Sequence, residues 1–144
     1  MLTTNQKGAI AETAVIHEAV KLGIGVYKPI ADEPCDFILE IGPRLLRVQC
    51  KWAIRHGDVI VIRTRRCRRA RAGLVHRSYT AEEIDVIAAY CEDTGDCYLL
   101  PPELSVDRVA VQLRLEPPRN NQARGIKWAR DYELRATLAR LMGP

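Results

Sequence analysis

The sequence predicts an α/β or α+β fold, in which one β-sheet has a helix before it and a helix after it. Two observations lead to this class. The strongest helical patterns lie near the two ends of the chain, and the region between them reads as short strands separated by turn-forming residues. The chain has 144 residues, of which 47% are hydrophobic and 28% are charged, as is typical of a globular domain. We therefore expect a single domain over residues 1–144.

The first helix is predicted at residues 5–22, with Thr4 as its N-cap and Gly23 just past its C-terminus. Glu12 lies within the apolar arc of this helix, near Val15, whereas the other ionisable residues lie on the opposite side. Glu12 should therefore point toward the sheet. A buried carboxylate is costly unless it is paired or binds a metal. Both an ion pair with a lysine of the sheet and a role as a metal ligand remain open.

The strands are predicted from short apolar or alternating runs that are bounded by turn-forming residues. Residues 42–43, a Gly-Pro pair, form a tight connection that makes the strands on either side neighbours, and residues 93–96 fit a hairpin turn. Residues 80–83 fit a capping box for a brief helical turn, and residues 128–142 predict a closing helix. The strands are expected at 25–30, 36–41, 45–54, 59–64, 84–91, 97–101 and 109–115.

The positive charge of the chain is concentrated between Arg44 and Arg77. This segment carries eleven Lys and Arg residues against one acid, Asp58, and hence a charge of +10, whereas the rest of the chain carries −6. Such a concentration is typical of a protein that binds a polyanion, most often nucleic acid. The alternative is a solvated arginine-rich face with no partner. Residues 65–77 hold few apolar side chains and are predicted to be a loop with its guanidinium groups in solvent. We expect double-stranded DNA to contact Arg63, Arg65, Arg66, Arg68, Arg69 and Arg71.

Four polar side chains are predicted to converge at one end of the sheet. Alternation along residues 45–54 places Gln49 and Lys51 on the same face as Arg47. Asp36 opens the neighbouring strand, and Glu12 reaches the sheet from the first helix. Oxygen ligands from Asp, Gln and Glu suit a hard divalent cation such as Mg²⁺. A lysine beside that cation could orient or deprotonate a water, or neutralise charge at a phosphate.

These residues resemble the PD-(D/E)xK nuclease superfamily. The motif consists of Pro34-Cys35-Asp36, a gap of twelve residues, and Gln49-Cys50-Lys51, with Glu12 on an upstream helix. The likeness is closest to the bacterial branch that contains group I intron homing endonucleases and many uncharacterised proteins. The segments SYTAEEIDVIAAYC, CYLLPP and LRLEPPRNNQ also resemble that branch, so the likeness covers nearly the whole chain.

The resemblance implies a restriction-endonuclease-like core with a central mixed sheet and the activity of a metal-dependent DNA endonuclease that uses Mg²⁺ or Mn²⁺. Two departures from the family pattern concern the site. Cys35 separates Pro34 from Asp36, and Gln49 replaces the usual acid, which removes one negative charge and should weaken metal binding. By position, the catalytic residues are Lys51, Gln49, Asp36 and Glu12, and the metal ligands are Asp36, Glu12, Gln49 and Cys50.

Two other functions remain open. The chain could be a non-catalytic DNA-binding module on a degenerate nuclease fold, in which Gln49 in place of the acid reflects a loss of catalysis. It could also be a structure-specific junction or repair nuclease. Because cutting both strands of a duplex usually takes two active sites, family analogy implies a homodimer or a higher homo-oligomer.

The sequence also indicates where the protein is found. Residues 1–8 lack the apolar region of a secretory signal, and no stretch approaches the ~20 apolar residues that a membrane-spanning helix needs. We therefore expect a cytoplasmic protein with no membrane partner, in which the five cysteines are free thiols.

Overall fold

The computed structural model describes residues 1–71, 73–120 and 124–143, and for residues 67–70 and 74 it describes the backbone alone. The regular elements are α1 (Thr4–Lys21), β1 (Gly25–Tyr27), β2 (Phe37–Ile41), β3 (Arg44–Trp52), β4 (Ile54–His56), β5 (Val59–Arg63), β6 (Arg65–Ala70), β7 (Gly73–Ser78), β8 (Val86–Cys91), β9 (Asp96–Leu100), α2 (Pro102–Ser105), β10 (Ala110–Arg114) and α3 (Leu134–Met142).

A five-stranded mixed sheet with the order β1-β2-β3-β8-β9 forms the centre of the fold. β3 and β8 are parallel, and the other three pairs are antiparallel. The tight connection between β2 and β3 is present, with Gly42 in the left-handed region at φ 59°. The predicted fold class is confirmed, and β2, which begins just after Asp36, and β3, which carries Gln49 and Lys51, are neighbours as expected.

The two faces of the central sheet are covered by different layers. On one face, Val15 and Ala19 of α1 and Leu138 of α3 pack on side chains that alternate along the strands, such as Phe37 and Val48. On the other face, the sheet packs against a second sheet with the order β10-β5-β4 and against the short helix α2. The chain therefore has three sheets in its described residues rather than the single sheet expected, because β6 and β7 form a separate two-stranded sheet.

The predicted strand 45–54 is divided between two sheets. The backbone N–H of Ala53 makes the last bond to the central sheet, at Tyr90, and Ile54 already pairs with Val61 of the second sheet. Lys51 and Trp52 therefore stand at the point where the chain leaves the central sheet. The apolar pattern continues through this change of sheet without a break. The pattern therefore does not indicate where the chain passes from one sheet to the other.

The prediction of a loop at residues 65–77 is wrong. β6 and β7 form an antiparallel hairpin whose register runs from Arg65 opposite Ser78 to Ala70 opposite Gly73. Its backbone groups are paired by the ladder even though the segment has few apolar side chains to bury. Buried residues flank the hairpin at its base, Thr64 before β6 and Tyr79 after β7.

The helix boundaries also differ from the sequence prediction. Thr3, not Thr4, caps α1, because its hydroxyl accepts from the N–H of Gln6 while the Gln6 side chain accepts from the N–H of Thr3. Residues 80–83 form a turn without a helix. The closing helix is shorter than predicted: residues 129–132 form a 3₁₀ turn, and Glu133 is extended and bridges Tyr98 of β9, so that α3 begins at residue 134. Within the described residues, no helix is both long enough and apolar enough to span a membrane.

Candidate active site

Asp36 is tied to β3 by two hydrogen bonds. Its backbone N–H donates to the carbonyl oxygen of Val48 at 2.7 Å, and its Oδ2 accepts from the N–H of Cys50 at 2.8 Å. Burial raises the pKa of Asp36, the N–H of Cys50 opposes this rise, and the charge of Glu12 adds to it. Lys51 and Lys28 act on the same carboxylate in the opposite direction. Asp36 therefore lies within electrostatic reach of both Glu12 and Lys51.

Glu12 is mostly buried and has a cationic partner. Its side chain is 23% exposed, and the ammonium of Lys28, the residue after β1, forms an ion pair with it. This hydrogen bond is the main cause that raises the pKa of Lys28. The ion pair that the sequence left open is therefore formed, and it coexists with the electrostatic contact between Glu12 and Asp36.

Gln49 and Cys50 fit the predicted ligand set less well. The amide nitrogen of Gln49 donates to the carbonyl oxygen of Cys50 at 3.5 Å, and among the described contacts none joins Gln49 to Asp36 or Glu12. The side chain of Cys50 packs with the core cluster on the α1 side. Burial, reinforced by Asp36 and Glu12, raises the pKa of this thiol well above its usual value. The backbone of Cys50 is the part of the residue that touches Asp36.

Lys51 is half-buried and points toward the base of the β6–β7 hairpin. Its Nζ donates to the carbonyl oxygen of Arg65 at 2.8 Å and to the hydroxyl of Tyr79 at 3.4 Å. The same lysine lines an open cleft of about 590 Å³, with Trp52, Arg63 and other residues. Lys51 therefore borders a basic cleft, and its charge acts on the carboxyl of Asp36.

Arg47 shares the face of Gln49 and Lys51 but is fully engaged elsewhere. Its guanidinium donates to both carboxylate oxygens of Asp85 at 2.9 and 3.1 Å and to the carbonyl oxygens of Ala81 and Glu82. Burial alone would raise the pKa of Asp85, but its bonds to Arg47 outweigh it and lower the pKa. Arg47 is therefore a structural residue that fastens the turn at 80–83 to β3.

The six arginines predicted to meet DNA fall into different environments. Arg63 and Arg65 are exposed and line the same cleft as Lys51, and Arg71 is exposed at the hairpin tip. Arg66 was predicted to keep its guanidinium group in solvent. Instead, this group donates to Glu83 at 3.0 Å. The side chains of Arg68 and Arg69 lie outside the described residues.

Glu83 is a partner of two hairpin arginines, and the sequence did not reveal this pairing. Arg77 donates to both of its oxygens, at 2.8 and 2.7 Å, and Arg66 binds the same carboxylate. The bonds from Arg77 are the main cause that lowers the pKa of Glu83 to about 2. One mostly buried acid therefore pairs with two arginines of the hairpin, one from β6 and one from β7, and offsets one of their two charges.

The donor set suits a hard cation that retains most of its water. Within the part of the chain that the structure describes, no group of three or more His, Cys, Asp or Glu side chains is arranged to hold a metal. The charge of Glu12 nevertheless acts on the carboxyl of Asp36, where it adds to the rise in pKa. Mg²⁺ usually binds proteins through one or two carboxylates and keeps several waters. The residues present therefore fit such an ion, although they do not form a closed cage.

Comparison with known proteins identifies the family. A family model described as PD-(D/E)XK endonuclease matches residues 2–135. The chain belongs to this family. A solved bacterial homing endonuclease, I-Ssp6803I, has 27% sequence identity and a TM-score of 0.77, and the match covers 99% of this chain and 96% of that one. No curated protein sequence matches the chain.

The PD-(D/E)XK resemblance inferred from the motif residues is thus confirmed. Nucleases of this family typically use divalent metal ions, which agrees with the chemistry of Asp36 and Glu12. Sequence reasoning missed two residues of the site, Lys28 and Tyr79. Lys28 lay within the predicted first strand. An ion pair between Glu12 and a lysine of the sheet was one of the two alternatives that the sequence left open. Tyr79 is an isolated aromatic residue next to the polar turn at residues 80–83. This position was the feature of the sequence that could have indicated its place in the site.

Proposed function

We propose that this PD-(D/E)XK protein is a Mg²⁺-dependent endonuclease that hydrolyses phosphodiester bonds in double-stranded DNA. The observation that carries the proposal is the placement of Asp36. Its carboxylate is fixed to the backbone of Cys50 and is acted on by the charges of Glu12 and Lys51, and Lys51 borders a basic cleft. The name of the solved relative, a homing endonuclease, supports DNA as the substrate.

Asp36 and Glu12 are the proposed ligands of the metal ion, and the amide oxygen of Gln49 is a third, neutral donor. When bound, a divalent cation supplies an acidified water and neutralises charge that develops on the phosphate oxygens. The hydrogen bond from Cys50 holds Asp36 in one orientation, so the carboxylate pays little further ordering entropy when it binds the ion. Lys28 balances the charge of Glu12 from the solvent side.

Lys51 is the proposed catalytic lysine. Its ammonium can donate to a non-bridging phosphate oxygen, or to the attacking water, from a position next to Asp36. Arg63 and Arg65 line the cleft beside it and are free of carboxylate partners among the described contacts, so they can bind flanking phosphates. The cleft therefore offers positive charge on the side of Lys51 from which a nucleic-acid backbone would approach.

A binding module without catalysis is the second candidate. Gln49 stands where the family motif has an acid, and no described contact brings it to Asp36 or Glu12. On this alternative, the arginines would bind DNA while the carboxylates remain without a metal. The two functions differ in whether Mg²⁺ binds at Asp36.

The decisive experiment incubates the protein with supercoiled plasmid and with linear, single-stranded and branched DNA, in Mg²⁺, in Mn²⁺ and in EDTA. We expect metal-dependent cleavage of duplex DNA by the wild type. In Lys51→Met, cleavage should fall by about a hundredfold or more while DNA affinity changes little, because one phosphate contact is a small part of the electrostatic total. Lys21→Met, an exposed lysine of α1, is the matched control and should cleave like the wild type. DNA binding without cleavage in any metal would favour the binding module, and preferred cleavage of branched DNA would favour a structure-specific nuclease.

We also propose that the active protein is a homodimer or a higher homo-oligomer, because cutting both strands takes two active sites. Light scattering of the protein alone and with duplex DNA measures this directly. A monomer that makes only single-strand nicks would contradict the proposal.

A further inference from the structure

Tyr79 is buried beside the proposed catalytic lysine. It follows the last residue of β7, is 3% exposed, and belongs to the core cluster between the two larger sheets. Its hydroxyl lies 3.4 Å from Nζ of Lys51, and the centre of its ring lies 5.1 Å from the same nitrogen. Among the described contacts, Lys51 is the hydrogen-bond partner of this hydroxyl. A buried tyrosine hydroxyl usually has a partner, so the contact accounts for a group that would otherwise be unsatisfied.

The phenol is held in its neutral form. Burial, followed by the charge of Asp36, raises the pKa of Tyr79 to about 12. The oxygen of a neutral phenol accepts a hydrogen bond from an ammonium, and the face of the ring attracts the same positive charge. Both contacts therefore act on the ammonium of Lys51 from one side, across a wide range of pH.

The other partner of Lys51 comes from the same place in the fold. The carbonyl oxygen of Arg65 accepts from Nζ at 2.8 Å, and Arg65 pairs with Ser78, the residue before Tyr79. The base of the hairpin thus supplies both groups. Glu83 braces this base because it binds Arg66 on one strand and Arg77 on the other.

We propose that Tyr79 is a positioning residue for Lys51, whose hydroxyl and ring, together with the carbonyl of Arg65, hold the ammonium at the edge of the cleft beside Asp36. This inference rests on the proposed function of Lys51. Tyr79 does not touch the reacting phosphate, and it acts by limiting the orientations of a flexible side chain. The base of the hairpin then has two roles. It places arginines at the cleft, and it orients the side chain of Lys51.

The test compares Tyr79→Phe with a matched control. Phenylalanine keeps the ring in the core and removes the hydroxyl. Tyr98→Phe is the control, because Tyr98 is 1% exposed in the same core cluster and its hydroxyl contacts Thr94 rather than Lys51. Thermal unfolding of both variants measures the structural cost of losing a buried hydroxyl. Single-turnover cleavage and the dissociation constant for duplex DNA separate the chemical step from binding.

A second readout does not depend on catalysis. The rate at which an acetylating succinimidyl ester modifies Lys51, measured by mass spectrometry against Lys21 in the same sample, reports how firmly the ammonium is held. In Tyr79→Phe we expect faster labelling of Lys51, cleavage slower by roughly ten- to a hundredfold, and DNA affinity unchanged within about twofold. In Tyr98→Phe all three should match the wild type.

The inference is overturned if Tyr79→Phe behaves like Tyr98→Phe, or if only one of labelling and cleavage changes, because a positioning residue must affect the lysine and the rate together. If the wild type cleaves no DNA, the proposed function fails, and labelling of Lys51 alone decides whether Tyr79 holds it.

Discussion

The backbone N–H of Cys50 donates to Oδ2 of Asp36 at 2.8 Å, which ties the acid just before β2 to the residue that precedes Lys51 on β3. The carboxylate of the proposed metal ligand is therefore held by the backbone of β3 one residue before the proposed catalytic lysine. A substitution of Asp36 that keeps an oxygen acceptor preserves this link, and one that removes the acceptor leaves a buried N–H without its partner.

Asp36→Asn tests the metal site with little disturbance of the fold. The amide oxygen can still accept from Cys50, but the negative charge is lost, so we expect cleavage to fall by about a hundredfold or more. Burial and Glu12 raise the pKa of Asp36, so charging this group disfavours the folded state. The variant should therefore unfold at the same or a higher temperature than the wild type near pH 7. Wild-type cleavage by this variant would show that Asp36 is not a ligand.

Glu12→Gln should reduce metal-dependent cleavage by a similar factor, because Glu12 is the second carboxylate of the site. Glu18→Gln is its control on the same helix, since Glu18 is more exposed and lies near Lys21. Titration calorimetry with Mg²⁺ should detect weaker binding in Glu12→Gln and no change in Glu18→Gln. Equal affinities in both variants would place Glu12 in a purely structural ion pair with Lys28.

Gln49→Glu restores the acid of the family motif. A third carboxylate near Asp36 and Glu12 should tighten the binding of a divalent cation, on the order of tenfold or 1.4 kcal/mol. In EDTA the added negative charge should lower the unfolding temperature, and saturating Mg²⁺ should recover it. An unchanged metal affinity would mean that the side chain at this position does not reach the ion.

Paired arginine substitutions separate the cleft from the brace at Glu83. Removing both Arg63 and Arg65 should make the slope of log affinity for duplex DNA against log salt shallower by about two units, with little loss of stability. Removing Arg66 and Arg77 should instead lower the unfolding temperature, because it leaves Glu83 mostly buried without its cations. The same salt slope in the Arg63 and Arg65 variant as in the wild type would indicate a solvated face without a partner.

The ion pairs of Glu83 predict a defined pH dependence. Its pKa is lowered from an ordinary 4.5 to about 2, so it stabilises the folded state above pH 4.5, and this contribution is lost as the pH falls from 4.5 toward 2. Glu83→Gln should therefore unfold at a lower temperature than the wild type at pH 7, and the gap should close across that acidic range. Glu82→Gln, the exposed neighbour, is the control. A gap that stays constant down to pH 2 would contradict the assignment.

Local patterns predicted the parts of the fold that depend on local chemistry. The helical period located α1 and the inward position of Glu12, and the alternation along β3 separated Lys51 from the core-facing Val48. The short Gly-Pro connection correctly made β2 and β3 neighbours. Together these features predicted that Asp36, Glu12 and Lys51 lie at one end of the sheet.

The features that the sequence did not reveal depend on partners that are distant in the chain or on backbone pairing. The hairpin holds together through its backbone ladder and through Glu83, whereas strand prediction relies on apolar side chains. The bond from Lys51 to Arg65 joins two sheets, and nothing in the motif indicates it. The bridge between Glu133 and Tyr98 interrupts a helical pattern because the edge of β9 offers backbone partners there.

The brace at Glu83 has a consequence for the search for a target on a long DNA molecule. Non-specific affinity grows with the number of counterions that a protein displaces from the phosphates, and Glu83 already offsets one of the two positive charges of Arg66 and Arg77. On our proposal, the hairpin therefore binds unrelated DNA less tightly than the number of its arginines suggests. Each stay at a wrong position is shorter, so the protein samples more positions in a given time.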